Sequence, residues 1–215
     1  GFGNAERVWM EVISFIYIVI FLFLIYAVGF YPEYNFKNKK KFSVIIPYRN
    51  EIDYIEKNYY FINNQSYSRE NFEVIYVNDH TSDNTDEYVE NNKSENIYNV
   101  SLKHDQKGKF KGIKEGFKKS KNDYLILTDC DSYGSMDYLK TINSSINPKD
   151  VLYAGFFEIE DSKLFSLDTF FLVGIAAALN FFNFPSSCPG ANLCVKKDIY
   201  KKFLKTAEKN ENNLT

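Results

Sequence analysis

From Phe42 onward, short runs rich in β-branched and aromatic residues alternate with polar segments of helical spacing. This alternation predicts βαβ units, and therefore an α/β fold with a mostly parallel central sheet and flanking helices. The predicted strands are Ser43 to Pro47, Glu73 to Asn78, Ile97 to Leu102 and Tyr124 to Thr128. The predicted helices are Tyr54 to Asn64, Thr85 to Asn92 and a Lys-rich segment that precedes the fourth strand.

The 215 residues suffice for one α/β domain and an additional segment, but hardly for two full domains. A hydrophobic content of 45% excludes a disordered chain. The net charge of -2 argues against nucleic acid as a partner. The cysteines are odd in number and lack the paired spacing of a zinc site, so we expect a reduced, cytosolic setting: Cys130, Cys188 and Cys194.

An uncharged, strongly apolar stretch runs from Val12 to Pro32. It is long enough to span a bilayer, because about 20 helical residues cover the hydrocarbon core. A buried core helix and a cleaved signal peptide are the alternatives, but core helices rarely stay apolar on every side, and signal peptides have shorter apolar regions. We therefore predict one transmembrane helix, with residues 1–36 as a membrane anchor and residues 37–215 as the globular domain. By the positive-inside rule, the lysines that follow the stretch place this domain in the cytoplasm: Lys37, Lys39, Lys40 and Lys41.

All four predicted strands end in polar residues, and three of these polar segments are of interest for function. The segment Pro47 to Glu51 follows the first strand, Asn78 to Thr85 the second, and Thr128 to Asp131 the fourth. In open α/β sheets, ligands bind beyond the carboxyl ends of the strands, so these segments are candidate ligand-binding residues. Each has a structural alternative, because Pro and Asn are common in turns and Ser or Asp often cap helices.

Asp129 and Asp131 form a pair of carboxylates one residue apart at the end of an apolar run. Like charges at this distance raise each other's pKa, and a hard divalent ion bound to phosphate oxygens removes that conflict. An Asp-x-Asp pair alone is weak support for a metal site. Its place at the end of the fourth strand is what gives it weight.

Three motifs in order resemble the successive signatures of family 2 glycosyltransferases. They are Phe42 to Glu51, Val74 to Thr85 and Asp129-Cys130-Asp131. Lys107-Gly108-Lys109, ahead of a helix, is similar to the Gly-Lys segment of the same family. The resemblance covers Phe42 to roughly Phe203.

This resemblance implies a Rossmann-like, glycosyltransferase A-type fold that uses a nucleotide diphosphate sugar and a divalent metal, Mn²⁺ or Mg²⁺. It implies inverting transfer to the hydroxyl of a sugar or lipid-linked acceptor, in the synthesis of an envelope or surface glycan. Carried over by position, Asp79 contacts the base, Lys109 lies near the nucleotide or diphosphate, and Asp131 binds the metal. The remaining positions implied for the nucleotide sugar are Pro47, Arg49, Glu51 and Asp129.

The resemblance also implies an acceptor side and a catalytic base. Gly190-Ala191-Asn192 matches the acceptor-side segment, and a helix is predicted at Asp198 to Thr206. The base of the family is an Asp in an acidic pair that follows these elements, so we expect it after Thr215 and expect the chain to be truncated. Should the base lie within the chain, Glu158 and Asp161 are the candidates.

Two other functions remain open from the sequence. A membrane protein that binds a nucleotide sugar without turning it over would also fit a chain without the base. A phosphotransferase with an Asp-x-Asp nucleophile is the other, although such aspartates usually follow the first strand.

Several residues have simple structural interpretations. His80 and His104 lack the spacing of metal ligands and are expected at the surface or in turns. Cys130 is expected to fill space in the core, and the lysines of Lys103 to Lys121 to lie on a solvated helix face. The uncharged segment Thr169 to Pro185 is expected to form a core or interfacial helix.

Overall fold

The computed structural model describes residues 3–29, 39–146, 152–155, 174–176, 179 and 192–212. The chain divides into two units, of which the first combines residues 1–33 with 156–188 and the second combines residues 34–155 with 189–215. In the first unit a helix, α1, occupies Asn4–Gly29. Of the segment Thr169 to Pro185, the structure describes only residues 174–176 and 179. The helix predicted for this segment therefore lies largely outside the described residues.

The membrane span predicted for Val12 to Pro32 is not found in the part of that stretch that the structure describes, residues 12–29. Crossing a bilayer needs an uninterrupted apolar helix of about 20 residues. Among the described residues, no helix has both the length and the apolar character that this requires.

The second unit is built on one six-stranded sheet with the strand order β3-β2-β1-β4-β6-β5. Its strands are β1 (Phe42–Tyr48), β2 (Phe72–Asn78), β3 (Ile97–Ser101), β4 (Tyr124–Thr128), β5 (Leu152–Ala154) and β6 (Asn192–Lys196). The first four strands are mutually parallel, whereas β6 pairs antiparallel with both β4 and β5. The mixed sheet thus has a parallel half, in which all four predicted strands lie, and an antiparallel edge.

In the part of this unit that the structure describes, five helices accompany the sheet. They are α2 (Ile52–Asn63), α3 (Thr85–Asn91), α4 (Lys109–Lys119), α5 (Tyr138–Ser145) and α6 (Lys197–Asn212), and a 3₁₀ turn, Arg69–Asn71, precedes β2. Each helix predicted for this unit is confirmed, with boundaries that shift by a few residues. Helix α5 and strands β5 and β6 were not predicted from the sequence.

The sheet has a hydrophobic core on each face, because its central strands are buried on both sides. One cluster, with Tyr76 and Ile126, contains the inward side of α2. The other cluster contains Ile45, Val77 and partly buried aromatic residues of α4. Every residue of β2 is buried, as parallel strands covered by helices on both faces require.

Helix α4 approaches the sheet closely at two glycines one turn apart. A Cβ atom at Gly112 would lie 3.1 Å from Cβ of Pro47. A Cβ atom at Gly116 would lie well under 3.0 Å from Cγ2 of Ile45. Cβ atoms in real proteins essentially never approach another heavy atom so closely. The two glycines therefore set the distance between α4 and β1, and with it the position of the amino end of α4.

Candidate functional site

The carboxyl ends of β1 and β2 meet at one edge of the sheet, where Tyr48 pairs with Asn78. The parallel strand β4 ends at the same edge with Thr128. Because β6 runs antiparallel to β4, its first residue, Asn192, pairs with Thr128. We call this the carboxyl edge, and it brings together the polar segments that the sequence singled out.

The turns that follow β1 and β2 are joined by hydrogen bonds. The backbone N–H of Asn50 donates to Oγ1 of Thr81 over 3.0 Å. The side-chain oxygen of Asn50 in turn accepts from the backbone N–H of Ser82 over 2.8 Å. Asn50 has a positive φ of 56°, a conformation that Asn tolerates better than most residues. The two turns thus form one connected rim at the carboxyl edge.

Asp79, the first residue after β2, is 7% exposed. Its Oδ2 accepts a hydrogen bond of 2.9 Å from the backbone N–H of Gly108, at the start of α4. Its Oδ1 is buried and has no hydrogen-bond partner among the described residues. A buried carboxylate oxygen without a donor is costly, so this atom is available to a ligand N–H or O–H.

The loop between β3 and α4 is also fixed to the turn after β2. His80, with a positive φ of 57°, donates from Nε2 to the carbonyl of Gln106 over 2.7 Å. The rings of His80 and His104 meet edge-on, with their centroids 6.3 Å apart. Both side chains are exposed, as the sequence predicted, but the hydrogen bond of His80 helps hold the loop that presents Gly108.

Lys109 begins α4, and its ammonium forms an ion pair with Oδ1 of Asp129. The two side chains are 51% and 30% exposed, so solvent weakens the pair and it contributes little to stability. It does place one cation at the carboxyl edge beside an aspartate. A cation in that position can bind a phosphate oxygen.

Carboxylates converge on the carboxyl edge. Burial raises the pKa of Glu51, and the negative charges of Asp131, Asp129 and Asp83 raise it further. Burial also acts to raise the pKa of Asp83, but hydrogen bonds from Thr85 and Ile52 outweigh it and leave that pKa below its ordinary value. Glu51 therefore lies in a negative field that a cation would relieve.

Cys130 lies between the two aspartates and is 2% exposed. Burial raises the pKa of its thiol, with a further contribution from the carboxylates of Glu51, Asp131 and Asp129. A thiol with a raised pKa is a poor nucleophile. The prediction that Cys130 fills space in the core is confirmed.

Within the described ranges, no three His, Cys, Asp or Glu side chains are arranged to hold a metal ion. This is compatible with Mg²⁺ or Mn²⁺ bound together with a substrate, because such ions are often held by one or two carboxylates, with phosphate oxygens and water completing the shell. Asp131 is exposed, and its charge is felt at Glu51. The hard oxygen donors of Asp131 and its acidic neighbours thus fit a divalent ion shared with a diphosphate.

The other predicted site residues have different surroundings. Pro47 packs against α4 at Gly112, and Arg49 is exposed in the turn after β1. Oδ1 of Asn192 accepts a hydrogen bond of 2.8 Å from the hydroxyl of Tyr138. Gly190, Ala191, Glu158, Asp161 and Thr215 lie outside the described residues.

Asn58 was not singled out from the sequence, yet it contacts the turn that carries the two aspartates. Its amide donates to the carbonyls of Ser132 and Asp129, over 2.7 and 3.3 Å. Asn58 is fully buried on the inward face of α2, which also contains Ile55, Phe61 and Ile62. A polar residue on an otherwise apolar helix face was the signal available in the sequence.

Comparison with known proteins identifies a family and several similar proteins. A family model described as glycosyl transferase family 2 matches residues 43–171. A Methanococcus voltae protein, dolichyl N-acetyl-alpha-D-glucosaminyl phosphate 3-beta-D-2,3-diacetamido-2,3-dideoxy-beta-D-glucuronosyltransferase, is 33% identical over 100 residues, or 46% of this chain and 31% of that protein. The mannosyltransferase PcManGT from Pyrobaculum calidifontis, solved in complex with GDP-Man and Mn²⁺, has a TM-score of 0.67 at 16% identity, over 92% of this chain and 58% of that one.

The likeness to PcManGT confirms the α/β, glycosyltransferase A-like fold. Staphylococcus aureus TarS in complex with UDP-GlcNAc is 28% identical over 47% of this chain and 30% of that one, with a TM-score of 0.45. The chain spans less than a third of the length of the M. voltae relative, of which 31% is covered.

Proposed function

The chain belongs to glycosyl transferase family 2, and from this premise we propose that its carboxyl edge binds a nucleotide diphosphate sugar together with a divalent metal ion. In this proposal the bound sugar is transferred with inversion to an acceptor hydroxyl. The observation that supports it most is the convergence of Asp79, Lys109 and the carboxylates of Glu51, Asp129 and Asp131 at the ends of three parallel strands.

Asp79 is suited to the nucleoside. Its free Oδ1 is buried and can only accept, so it favours a ring or exocyclic N–H of a base, or a ribose hydroxyl. Its other oxygen is already held by the N–H of Gly108, which fixes the direction of Oδ1. An oriented acceptor of this kind selects a ligand by its donor pattern.

In the same proposal the diphosphate binds near Lys109 and Asp131, and Lys109 directly follows the glycine that bonds Asp79. Departure of a nucleoside diphosphate concentrates negative charge on the leaving phosphate. Asp131 would hold the divalent ion, and the ion would supply Lewis-acid stabilisation of that charge. Lys109 adds a positive charge from the amino end of α4, where its ion pair with Asp129 already orients it.

The acceptor is proposed to be a sugar or lipid-linked hydroxyl, a role that would suit synthesis of an envelope or surface glycan. The M. voltae relative is named for a dolichyl-linked sugar phosphate, which supports a lipid-linked acceptor. Asn192 lies beside the end of β4 through its pairing with Thr128. This position supports a role on the acceptor side of the same edge.

The experiment is a calorimetric titration of the protein with uridine and guanosine diphosphates, each with and without Mn²⁺. We expect one of them to bind with an affinity that Mn²⁺ increases on the order of tenfold or more. Asp131→Asn should remove that increase, because it deletes a charged oxygen ligand.

The matched control is Asp123→Asn. Asp123 is exposed and precedes β4, so it lies at the opposite end of the strand that Asp129 follows. The control should bind like the wild type. Equal gains from Mn²⁺ in wild type and Asp131→Asn would contradict the proposed metal site, and failure of both nucleotides to bind wild type would contradict the proposed function.

A further inference from the structure

A buried amide and a buried phenol lie directly beneath the turn that carries Asp129 and Asp131. The hydroxyl of Tyr76, in the middle of β2, donates to Oδ1 of Asn58 over 2.8 Å. Nδ2 of Asn58 then donates to the carbonyl of Ser132 over 2.7 Å and to that of Asp129 over 3.3 Å. Tyr76 and Asn58 are both 0% exposed, so the bond between them forms away from bulk water, whereas the two bonds to the turn are partly buried.

The orientation of the Asn58 amide follows from its partners. Carbonyl oxygens can only accept, so the NH₂ group must face Ser132 and Asp129. The side-chain oxygen is then left facing Tyr76, whose hydroxyl can donate. Reversing the amide would set its oxygen against two carbonyls, and the chain of bonds therefore has one direction, from β2 through α2 to the turn.

The turn itself has few other supports. Among the described residues, its one backbone bond runs from the N–H of Ser132 to the carbonyl of Asp129 over 3.2 Å. Cys130 anchors it from the core side, in the same cluster as Tyr76. Asp131 is exposed, and Asp129 contacts Lys109 at the surface. The direction in which the two carboxylates point thus depends on where the backbone of residues 129–132 is held.

We propose that Asn58, oriented by Tyr76, is a positioning residue that holds the turn of residues 129–132 so that Asp129 and Asp131 face the metal and diphosphate. Asn58 acts through the backbone and touches neither carboxylate nor ligand. The ligand part of this inference rests on the proposed function. The holding of the turn does not, and it can be measured without any ligand.

Two substitutions break the chain of bonds at different points. Asn58→Ala removes both donors to the turn and leaves the hydroxyl of Tyr76 without its acceptor. Tyr76→Phe keeps both donors but removes the group that orients them, so its effect should have the same sign and be smaller. Asn64→Ala is the matched control, because Asn64 is exposed at the end of the same helix. Among the described residues, its side-chain amide bonds only the carbonyl of Tyr60, over 2.8 Å.

The first measurement is hydrogen exchange of backbone amides in the ligand-free protein, followed in peptides that cover residues 129–135 and, for comparison, β3. Asn58→Ala should accelerate exchange in the turn by about tenfold or more relative to Asn64→Ala, since exchange follows local opening. Tyr76→Phe should give a smaller acceleration confined to the same peptide. Unchanged exchange in the turn, or an equal acceleration in β3, would overturn the proposal.

The second measurement titrates Mn²⁺ at a fixed concentration of nucleoside diphosphate. Loss of a residue that orients metal ligands typically weakens metal binding about 10- to 100-fold, so Asn58→Ala should raise the Mn²⁺ concentration needed by that factor. Metal-free nucleotide binding, which depends on Asp79, should stay unchanged. A variant with a loosened turn and wild-type Mn²⁺ dependence would overturn the positioning role. Failure of the wild type to bind nucleotide would instead contradict the proposed function, and the exchange result would still decide whether Asn58 holds the turn.

Discussion

Gly116→Ala tests the close packing of α4 on the sheet. The added Cβ would lie well under 3.0 Å from Cγ2 of Ile45, with Cγ1 of Ile45 and Cγ2 of Val77 each at 3.3 Å. Carbon atoms in good contact are about 3.5–4.0 Å apart, so α4 or Ile45 must move by roughly 1 Å. Ile45 is 0% exposed and β-branched, which leaves it little freedom to rotate away.

The expected cost follows from two opposing effects. Overpacking a buried site costs about 1–3 kcal/mol, and the absence of room at Ile45 places this site in the upper part of that range. Replacing Gly by Ala inside a helix stabilises the folded state by about 1 kcal/mol. We therefore expect a net loss of about 1–2 kcal/mol in the free energy of unfolding, or a decrease in Tm of about 2–8 °C for a protein of this size.

Thermal unfolding of the variant and of two other Gly→Ala variants measures this effect. Gly112→Ala should destabilise less, because its Cβ would lie 3.1 Å from Pro47. Gly134→Ala should be close to neutral, because its Cβ would meet Phe61 only at 3.8 Å. In an Ile45→Ala background, which removes the obstructing methyl group, Gly116→Ala should lose most of its cost.

The opposite sign would refute this reasoning. If α4 had room at Gly116, the change to Ala would raise Tm through helix propensity alone. A rise in Tm, or equal effects in the wild-type and Ile45→Ala backgrounds, would show that the glycine does not set the distance between α4 and β1.

Three further predictions concern the carboxyl edge. Glu51→Gln should raise Tm above about pH 4.3, by less than about 3 °C because Glu51 is partly solvated. Because the pKa of Glu51 is raised in the folded protein, the folded state keeps the Glu51 proton to a higher pH than the unfolded state does. The wild type therefore loses stability as the pH rises from the unfolded pKa of Glu51 through its folded pKa. Equal Tm values of variant and wild type at pH 7 would contradict this. Asp79→Asn should weaken nucleotide binding by about tenfold or more with or without Mn²⁺, since a buried acceptor becomes a donor; calorimetry that finds unchanged affinity would exclude contact with the nucleoside. Lys109→Met should lower the free energy of unfolding by less than about 1 kcal/mol. It should reduce the affinity for a nucleoside diphosphate more than the affinity for the nucleoside. Equal reductions of the two affinities would place Lys109 away from the phosphates.

The parallel half of the fold could be predicted from the sequence because each of its strands is a short apolar run that ends in polar residues. Those ends contain Asp79, Asp129 and Asp131, so the carboxyl edge could be predicted as well. The antiparallel edge could not. β5 has only three residues, and the apolar run of β6 is also limited to three residues, Leu193 to Val195.

The supports of the site were missed for a different reason. Asn58 and Tyr76 act through a hydrogen bond of 2.8 Å between residues 18 positions apart, and no local pattern reports such a pair. The glycines of α4 carry a weak signal, since two glycines one turn apart indicate a close approach. The sequence does not say which atoms they approach, and only the structure identifies Ile45 and Pro47.

The most direct test of the central claim is a diffraction experiment on crystals grown with a nucleoside diphosphate and Mn²⁺, using the anomalous signal of manganese to locate the ion. We expect one Mn²⁺ at the carboxyl edge, about 2–2.3 Å from a carboxylate oxygen of Asp131 and from an oxygen of the diphosphate, with the nucleoside donating to Oδ1 of Asp79. A nucleotide bound away from these residues, or manganese at the carboxyl edge without contact to Asp131, would contradict it.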